Sequence, residues 1–579
     1  MRLINTKTLE LHEFFSENVP PYAILSHAWG AEEVTFQDWQ NRQLAASKQG
    51  FAKIKSACRQ SLDQKIEWLW VDTNCIDKTS SAELTEAINS MFAYYQKSQV
   101  CFAYLADVST SSQDTQLLRA QIRGSRWFTR GWTLQELIAP RNLVFYAADW
   151  SRIGRKDRSL ADLITSLTNI DKMYLSGQRN INRASVSKRM SWLANRTTTR
   201  TEDMAYCMLG IFDINMPLLY GEGKRAFFRL QEEIIKGSND HTIFCWEWNN
   251  DVPDDWGSLL APWPTVFEGS SGFESLRIDE ISVFSMTNAG LSIRLPTITT
   301  LGDAYNVASS WFIMLQVAPA GTARNNTDAA CIRVSGRSAG NLLYVSRFPY
   351  PPQPMTMSRT LLGNFTTKSL IVRNRLANGR VLTTSRRLSE IYSNENTIKF
   401  IPVFYPPNLQ DGWRFESLNQ EHDLNTILLL GAVPVTINEQ NFGVGGILAT
   451  WKEEHQNRLK ILLGRTVKQR SDYPLVKLSS AYSENTWHHW KQHVKAVTSA
   501  ERESHSNSLG ITAVIRDSID VVRGSDSCFF LFLVKGESTR SSLSFLSAVG
   551  RGERGDDGDS SDAASDVAET GAFRFIGRR

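Results

Sequence analysis

Over its first 150 residues the chain alternates between two hydrophobic periods, and this alternation constrains the fold more than any other feature. Tyr22-Ala-Ile-Leu-Ser26, Ile66-Glu-Trp-Leu-Trp-Val-Asp72, Val100-Cys-Phe-Ala-Tyr-Leu105 and Leu143-Val-Phe-Tyr146 are short apolar runs with the length of buried strands. Between the first two, Phe51, Ile54, Ala57, Cys58 and Leu62 recur at helical spacing, with Lys53, Lys55 and Arg59 on the other face. Between the second and third, Leu84, Ile88, Met91, Phe92 and Tyr95 form a second helical stripe. A short helix before Pro140 precedes the fourth strand. Strand and helix in strict alternation predict an α/β domain over residues 1–150, with a mainly parallel sheet covered by helices on both faces.

The texture then changes twice. Residues 151–245 read as mostly helical, with Met190, Trp192, Leu193, Met204, Tyr206, Met208 and Leu209 as apolar faces. Arg196, Arg200, Glu202 and Asp203 read as an ion-paired helix start. From 250 to 548, short apolar runs such as Gly290–Leu295, Trp311–Val317, Leu342–Val345 and Phe529–Val534 alternate with Gly, Pro, Asn and Ser, the pattern of an antiparallel sandwich or barrel. Residues 549–579 are Gly, Ser, Asp and Arg with few apolar side chains, the composition of a disordered tail. A chain of 579 residues exceeds one ordinary core, so two or three domains are expected. A net charge of +4 gives no field that points to nucleic acid or a membrane surface. No apolar run reaches membrane-spanning length, and the first residues lack a signal core. Seven scattered cysteines without a Cys-x-x-Cys pair argue against a disulfide framework or a zinc site. Together these features predict a cytoplasmic protein.

In a doubly wound sheet the ligand crevice lies at the carboxyl ends of the strands. Here those ends carry Ser26-His-Ala-Trp-Gly30, Asp72-Thr-Asn-Cys-Ile-Asp77 and Asp107. Ser26, His27, Trp29, Asp72, Asn74, Cys75 and Asp77 converge on one rim, although Asp77 before Thr79-Ser80 also suits simple capping. A Cys75–His27 nucleophile is disfavoured, because a cysteine behind a strand is usually buried and inert. No metal site is expected, since His27 is the only histidine between positions 13 and 240. Gly221-Glu-Gly-Lys224 resembles a phosphate loop but lacks its full spacing and has Arg225 where Ser or Thr is required. His488, His489 and His493, beside Trp487 and Trp490, read as a helix face.

Arg126-Trp-Phe-Thr-Arg-Gly-Trp-Thr-Leu-Gln-Glu-Leu-Ile138 is the stretch most suggestive of chemistry. It sets one carboxyl, Glu136, among Trp132, Leu134, Leu137 and Ile138. Desolvation there would raise the carboxyl pKa and suit it to catalysis; the structural alternative is an ion pair with Arg130 or Arg141.

Leu25-Ser-His-Ala-Trp-Gly30, Trp70-Val-Asp-Thr-Asn-Cys-Ile-Asp77 and Arg130-Gly-Trp-Thr-Leu-Gln-Glu136 resemble, in order and spacing, the three blocks of the fungal heterokaryon incompatibility (HET) domain. Thr201–Phe212, Leu219–Gly223 and Arg229–Glu233 are similar to the extended form in vegetative incompatibility proteins, so the resemblance covers about residues 1–245. Lys78 departs from it, where the family commonly has Gln. More distantly, Trp132–Leu137 resembles the corresponding block of TIR domains, with Thr133 in place of Cys.

The resemblance implies a TIR-like, flavodoxin-like fold and a trigger of programmed cell death in non-self recognition. It also implies NAD⁺ as a possible substrate rather than a resident cofactor. Glu136 would then be catalytic, and Ser26, His27, Trp29, Asp72, Asp77 and Trp132 would bind substrate, with no metal. Self-association and an unknown protein partner from an incompatible strain are expected, and neither nucleic acid nor an integral membrane segment. Two readings stand: an enzyme that cleaves the N-glycosidic bond of NAD⁺, and a non-enzymatic, self-associating signalling or adaptor module.

Overall fold

The computed structural model describes residues 1–15, 18–110, 114–253, 255–276, 282–300, 309–320, 328–348, 354–358 and 366–374, and further on only strand positions between 398 and 535. The expected tail at 549–579 and the histidines at 488, 489 and 493 lie outside the described residues.

In chain order the first part contains β1 (Arg2–Asn5), β2 (Leu11–Glu13), β3 (Ala23–His27), α1 (Phe36–Trp39), α2 (Arg42–Ser47), α3 (Gln49–Asp63), β4 (Trp68–Trp70), α4 (Ser81–Lys97), β5 (Val100–Tyr104), α5 (Thr115–Gly124), α6 (Thr133–Ile138), β6 (Leu143–Tyr146) and β7 (Arg152–Arg155). The strands form one sheet in the order β2-β1-β4-β3-β5-β6-β7. Its centre is parallel: β3 pairs with β4 and β5, and β5 with β6. The three strands that the sequence did not reveal, β1, β2 and β7, pair antiparallel at the edges. They are short and interrupted by polar residues, so they show no run of apolar positions.

Among the parallel strands the spatial order is second, first, third, fourth. The chain therefore leaves β3 towards one side and β5 towards the other, which opens a crevice between their carboxyl ends. Right-handed crossovers then put α3 on one face and α4 with α6 on the other. The packing of α6 against both α4 and β3 agrees with this.

The next segment contains α7 (Ala161–Thr168), α8 (Lys172–Leu175), α9 (Val186–Ser191), α10 (Asp203–Tyr206), α11 (Leu209–Phe212) and α12 (Arg225–Gly237). Most are too short to be stable alone and are held by packing. Gly210 in α11 sits where a Cβ would lie 2.0 Å from Phe92 of α4, so only glycine permits this approach. The expected ion-paired cluster is split. Glu202 accepts the backbone N–H groups of Gly221 and Gly223 at 2.8 and 2.9 Å, both glycines having positive φ. The loop that resembles a phosphate cradle is thus filled by the protein's own carboxylate. Arg196 does not join this cluster and runs beneath α6 instead.

Beyond 250 the strands pair mostly antiparallel, in a 12-stranded, a 5-stranded and a 2-stranded sheet. Two parallel pairs depart from the expected meander: Leu342–Arg347 with Thr366–Val372, and Ile398–Tyr405 with Cys528–Lys535. One buried cation joins this region to the helical segment. The Arg347 guanidinium donates to the carbonyls of Phe244 at 3.1 Å and Trp246 at 2.6 Å and stacks 3.5 Å from the Trp246 ring. Ser185 reaches the Phe273 carbonyl, and Gln231 bridges Ala261 in both directions. Hydrogen bonds therefore cross the interval between residues 245 and 250. No helix among the described residues is long and apolar enough to cross a membrane.

Arg347→Ala leaves two buried carbonyls without a donor and removes the stacked plane. It is expected to lower stability by about 3 kcal/mol, the order of two charge-assisted hydrogen bonds in a dry site. Chemical denaturation of the full chain followed by circular dichroism checks this.

Candidate functional site

Helix α6 brings Glu136 to the sheet. All six of its residues are buried, and Glu136 keeps only 9% of its surface exposed. The Glu136 carboxyl accepts a hydrogen bond from the Ser26 hydroxyl at the carboxyl end of β3. The Ser26 oxygen in turn accepts the Trp127 indole N–H at 2.8 Å. Trp127 occupies one of the serine's two lone pairs, which leaves its proton for Glu136. The Tyr95 hydroxyl of α4 donates to the Leu25 carbonyl at 3.3 Å beside the Glu136 carboxyl and helps to hold its pKa down. Among the described residues no ion pair joins Glu136 to Arg130 or Arg141, the alternative read from sequence. Burial raises the Glu136 carboxyl to about 8; the bond from Ser26 pulls the other way, and the negative Asp72 adds to the rise.

Both ends of α6 are pinned by buried cations. Lys156 donates to the Leu137 and Ile138 carbonyls at 2.8 and 3.2 Å, which caps the carboxyl end. Burial pulls the Lys156 ammonium down to about 8. At the other end Arg196 donates to the Arg130 carbonyl at 2.8 Å and the Thr133 hydroxyl at 2.9 Å. Gly131 donates to Thr197 at 2.8 Å, and a Cβ there would meet the Thr198 methyl at 2.5 Å. The glycine of Arg130-Gly-Trp132 is therefore a packing requirement.

The next strand residue, His27, serves the opposite face, as alternation along a strand demands. Its Nδ1 lies 2.7 Å from the Lys53 ammonium of α3 and its Nε2 3.1 Å from Asp72. An ammonium needs a lone pair at Nδ1, so Nε2 carries the proton and donates to Asp72. Lys53 also pairs with Glu33 at 2.6 Å, and Glu33 accepts the Gly30 N–H. Asp72 accepts the Trp29 indole N–H at 2.9 Å, and Lys78 lies 3.7 Å from it. Burial alone would raise the Asp72 carboxyl, but Lys78, His27 and Trp29 hold it well below the usual carboxylate range.

The residues expected at the rim are therefore in two groups. Ser26 meets Glu136 on one face of the sheet; His27, Trp29 and Asp72 form a charged cluster at the other. The influence of Asp72 on the Glu136 carboxyl links them electrostatically. Asp77 turns its carboxylate to Thr79 and Gln37, a local cap. Asp107 likewise caps the turn at Ser125 and Arg126. Trp132 lies against Asp203 of the helical segment. Cys75 is buried with its thiol pushed up to about 12, which removes it as a nucleophile. Asn74 is wholly buried and neither atom of its amide has a hydrogen-bond partner among the described residues.

Tyr95, Trp127, Lys53, Glu33 and Lys78 are members of the site that sequence reasoning missed. Trp127 was visible in the same block as Glu136. Tyr95 and Lys53 looked like ordinary helix residues, one in the apolar stripe of α4 and the other on the polar face of α3.

Residues 22–121 match the family model described as Heterokaryon incompatibility protein (HET). The N-terminal part of the chain is a HET domain. Over 227 residues the chain is 46% identical to the vegetative incompatibility protein HET-E-1 of Podospora anserina. That likeness covers 38% of this chain and 16% of the relative, so the chain spans under a fifth of the relative's length. No solved structure matches the chain. Glu136 lies beyond the residues matched by the family model, so its role is weighed on its own surroundings.

The raised carboxyl of Glu136 makes HET-domain stability depend on pH. Between the ordinary carboxyl value of 4.5 and about 8, the folded state holds a proton that the unfolded chain releases. Stability therefore falls as pH rises through this window, by at most about 1.4 kcal/mol per pH unit. Glu136→Gln removes that dependence. The variant is expected to gain stability over the wild type progressively from pH 5 to pH 8, in parallel denaturant titrations.

Proposed function

We propose that this chain acts in fungal heterokaryon incompatibility as a cytoplasmic effector of cell death, and that its HET domain cleaves the N-glycosidic bond of NAD⁺ at Glu136. The observation that carries the chemical reading is a buried carboxyl, bonded to Ser26, at the carboxyl end of β3 beside the switch point of the sheet. The strand order 2-1-3-4 supports kinship with the flavodoxin-like and TIR-like folds, whose ligands bind at this crevice.

The chemistry suits a single carboxylate. Breaking the bond from ribose C1′ to the pyridinium nitrogen sends the electron pair to the ring and neutralises it. The ribose becomes oxocarbenium-like, and an ionised Glu136 stabilises that charge and orients the ribose hydroxyls. Water then adds to C1′ and loses a proton to the carboxylate or solvent. The products are nicotinamide, ADP-ribose and one proton. With its carboxyl raised to about 8, Glu136 is mostly protonated at neutral pH in the unliganded protein. The cationic substrate favours the ionised form, so binding and activation are coupled.

One observation favours a second reading. A Glu136 only 9% exposed and bonded to Ser26 is also what a structural acid in a self-associating adaptor module would look like.

The full-length chain incubated with NAD⁺ separates the two. Wild type is expected to release nicotinamide, with kcat/KM rising through pH 8 as Glu136 ionises. Glu136→Gln should lower the rate at least about a hundredfold, the order of a lost electrostatic stabiliser. A Glu136→Gln chain that kills hyphae at wild-type levels ends the catalytic assignment and leaves the adaptor.

Self-association is part of the same proposal, with a partner from an incompatible strain as its trigger. Specific activity is expected to rise with protein concentration as larger species form in light scattering. Constant specific activity from a strict monomer over a wide dilution range rules this out.

A further inference from the structure

The sheet ends in an open edge at β2, the last strand in its order. Its bonds to β1 fix which peptide groups face outward. The Asn5 N–H donates to the Glu10 carbonyl and the Phe14 N–H to the Met1 carbonyl, each at 2.8 Å, and Leu3 stands opposite His12. Even-numbered residues of this strand therefore turn their N–H and C=O groups to β1, and Leu11 and Glu13 turn theirs to the open edge. Alternation puts the Leu11 and Glu13 side chains on the face of Arg2, whose guanidinium lies 4.6 Å from the centre of the Phe36 ring of α1. His12 and Phe14 take the other face, against Trp68.

Beside this edge lies a groove of about 390 Å³, lined in part by Leu9, Leu11, Trp39 and Arg42. Trp39 and Arg42 both donate to the Leu9 carbonyl, which fixes the groove wall. Among the described residues Arg42 donates to the Thr8 and Leu9 carbonyls and has no carboxylate partner, and the Glu13 carboxylate has no ion-pair partner. Phe15, two residues past Glu13, is 67% exposed, more than any other Phe, Tyr or Trp among the described residues.

We propose that β2 pairs antiparallel with β2 of a second copy of this chain, about a two-fold axis at His12, and that each copy's Phe15 fills the other's groove. This rests on the self-association proposed above and names its surface. The register follows from the outward peptide groups. Leu11 against Glu13 of the second copy uses all of them. Leu11 against Leu11, or Glu13 against Glu13, would draw on Leu9 or Phe15, whose carbonyls are already bonded to Trp39 and to the Asn18 N–H. His12 then faces His12, and the same count brings Phe15 of the second copy level with Leu9, at the groove. Glu13 of the second copy, opposite Leu11, comes beside Arg42. The edge is therefore its own complement, as a two-fold interface requires. An exposed ring meets a groove, a carboxylate without a cation meets a guanidinium without an anion, and two open strand edges close each other.

Light scattering of the full chain over a concentration series tests the surface, and engineered cysteines test the register. Glu13→Pro removes an outward N–H while sparing the bonds between β1 and β2, and Phe15→Ser removes the ring. Each is expected to weaken self-association at least about tenfold, the scale of a central aromatic anchor. Circular dichroism establishes that each variant is folded. With diamide as oxidant, His12→Cys should form a disulfide-linked dimer, because directly opposed residues of a non-hydrogen-bonded pair stand about 4.5 Å apart at Cα, within disulfide reach. Leu11→Cys should cross-link far more slowly, since its counterpart lies two residues along. The unaltered chain, whose described cysteines are all buried, is the blank. Wild-type assembly by either folded variant, or Leu11→Cys linking as fast as His12→Cys, overturns this interface and leaves self-association standing. A chain monomeric at every concentration, with no His12→Cys dimer, overturns both and gives the groove to another occupant. No readout depends on turnover of NAD⁺, so the role of Glu136 stands or falls separately.

Discussion

Everything distinctive about this HET domain depends on a six-residue helix that cannot stand alone. α6 is too short to be stable in isolation and has no side-chain cap of its own. Its ends are held from outside by two buried cations on backbone carbonyls, Lys156 at one end and Arg196 at the other. Neither cation has a carboxylate partner in these contacts; the helix dipole favours Lys156 at the carboxyl end, while at the amino end the Arg130 carbonyl and the Thr133 hydroxyl take up the Arg196 charge. Lys156 follows directly on β7, and Arg196 comes from the helical segment. The edge of the sheet and the extension thus meet at one helix, and the position of Glu136 is set by both.

The same helix explains why Glu136 is protonated near neutrality. A carboxyl among Leu134, Leu137 and the sheet has lost most of its water. Ser26 returns one hydrogen bond, which is less than solvent provides, and Asp72 adds repulsion. The charge of Arg130 offsets only part of this.

Much of this was legible in the chain because parallel strands in α/β sheets are buried on both faces and read as continuous apolar runs. Leu143–Tyr146 was located to the residue, and Ala23–His27 within one residue at each end. The edge strands escaped, because Arg2–Asn5 and Arg152–Arg155 are polar where they meet water. At the site, local blocks identified Ser26 and Glu136 but not who would bond to them. The contact of Ser26 with Trp127 is a property of strand order and packing, which no local pattern encodes. The apparent cluster at Arg196, Arg200, Glu202 and Asp203 misled for the same reason. Neighbours in sequence were dispersed, Glu202 into the Gly221–Gly223 loop and Arg196 beneath α6.

Ser26 and His27 are consecutive residues with no partner in common. One is locked to Trp127 and Glu136, the other to Lys53 and Asp72, with the sheet between them. A single strand end thus feeds two separate contact networks, and each can drift in evolution without dismantling the other. Substitutions around Trp29 and Lys78 leave the contacts of the buried carboxyl untouched, and substitutions around the carboxyl leave theirs. Such separable inheritance lets one network diversify while the other is kept.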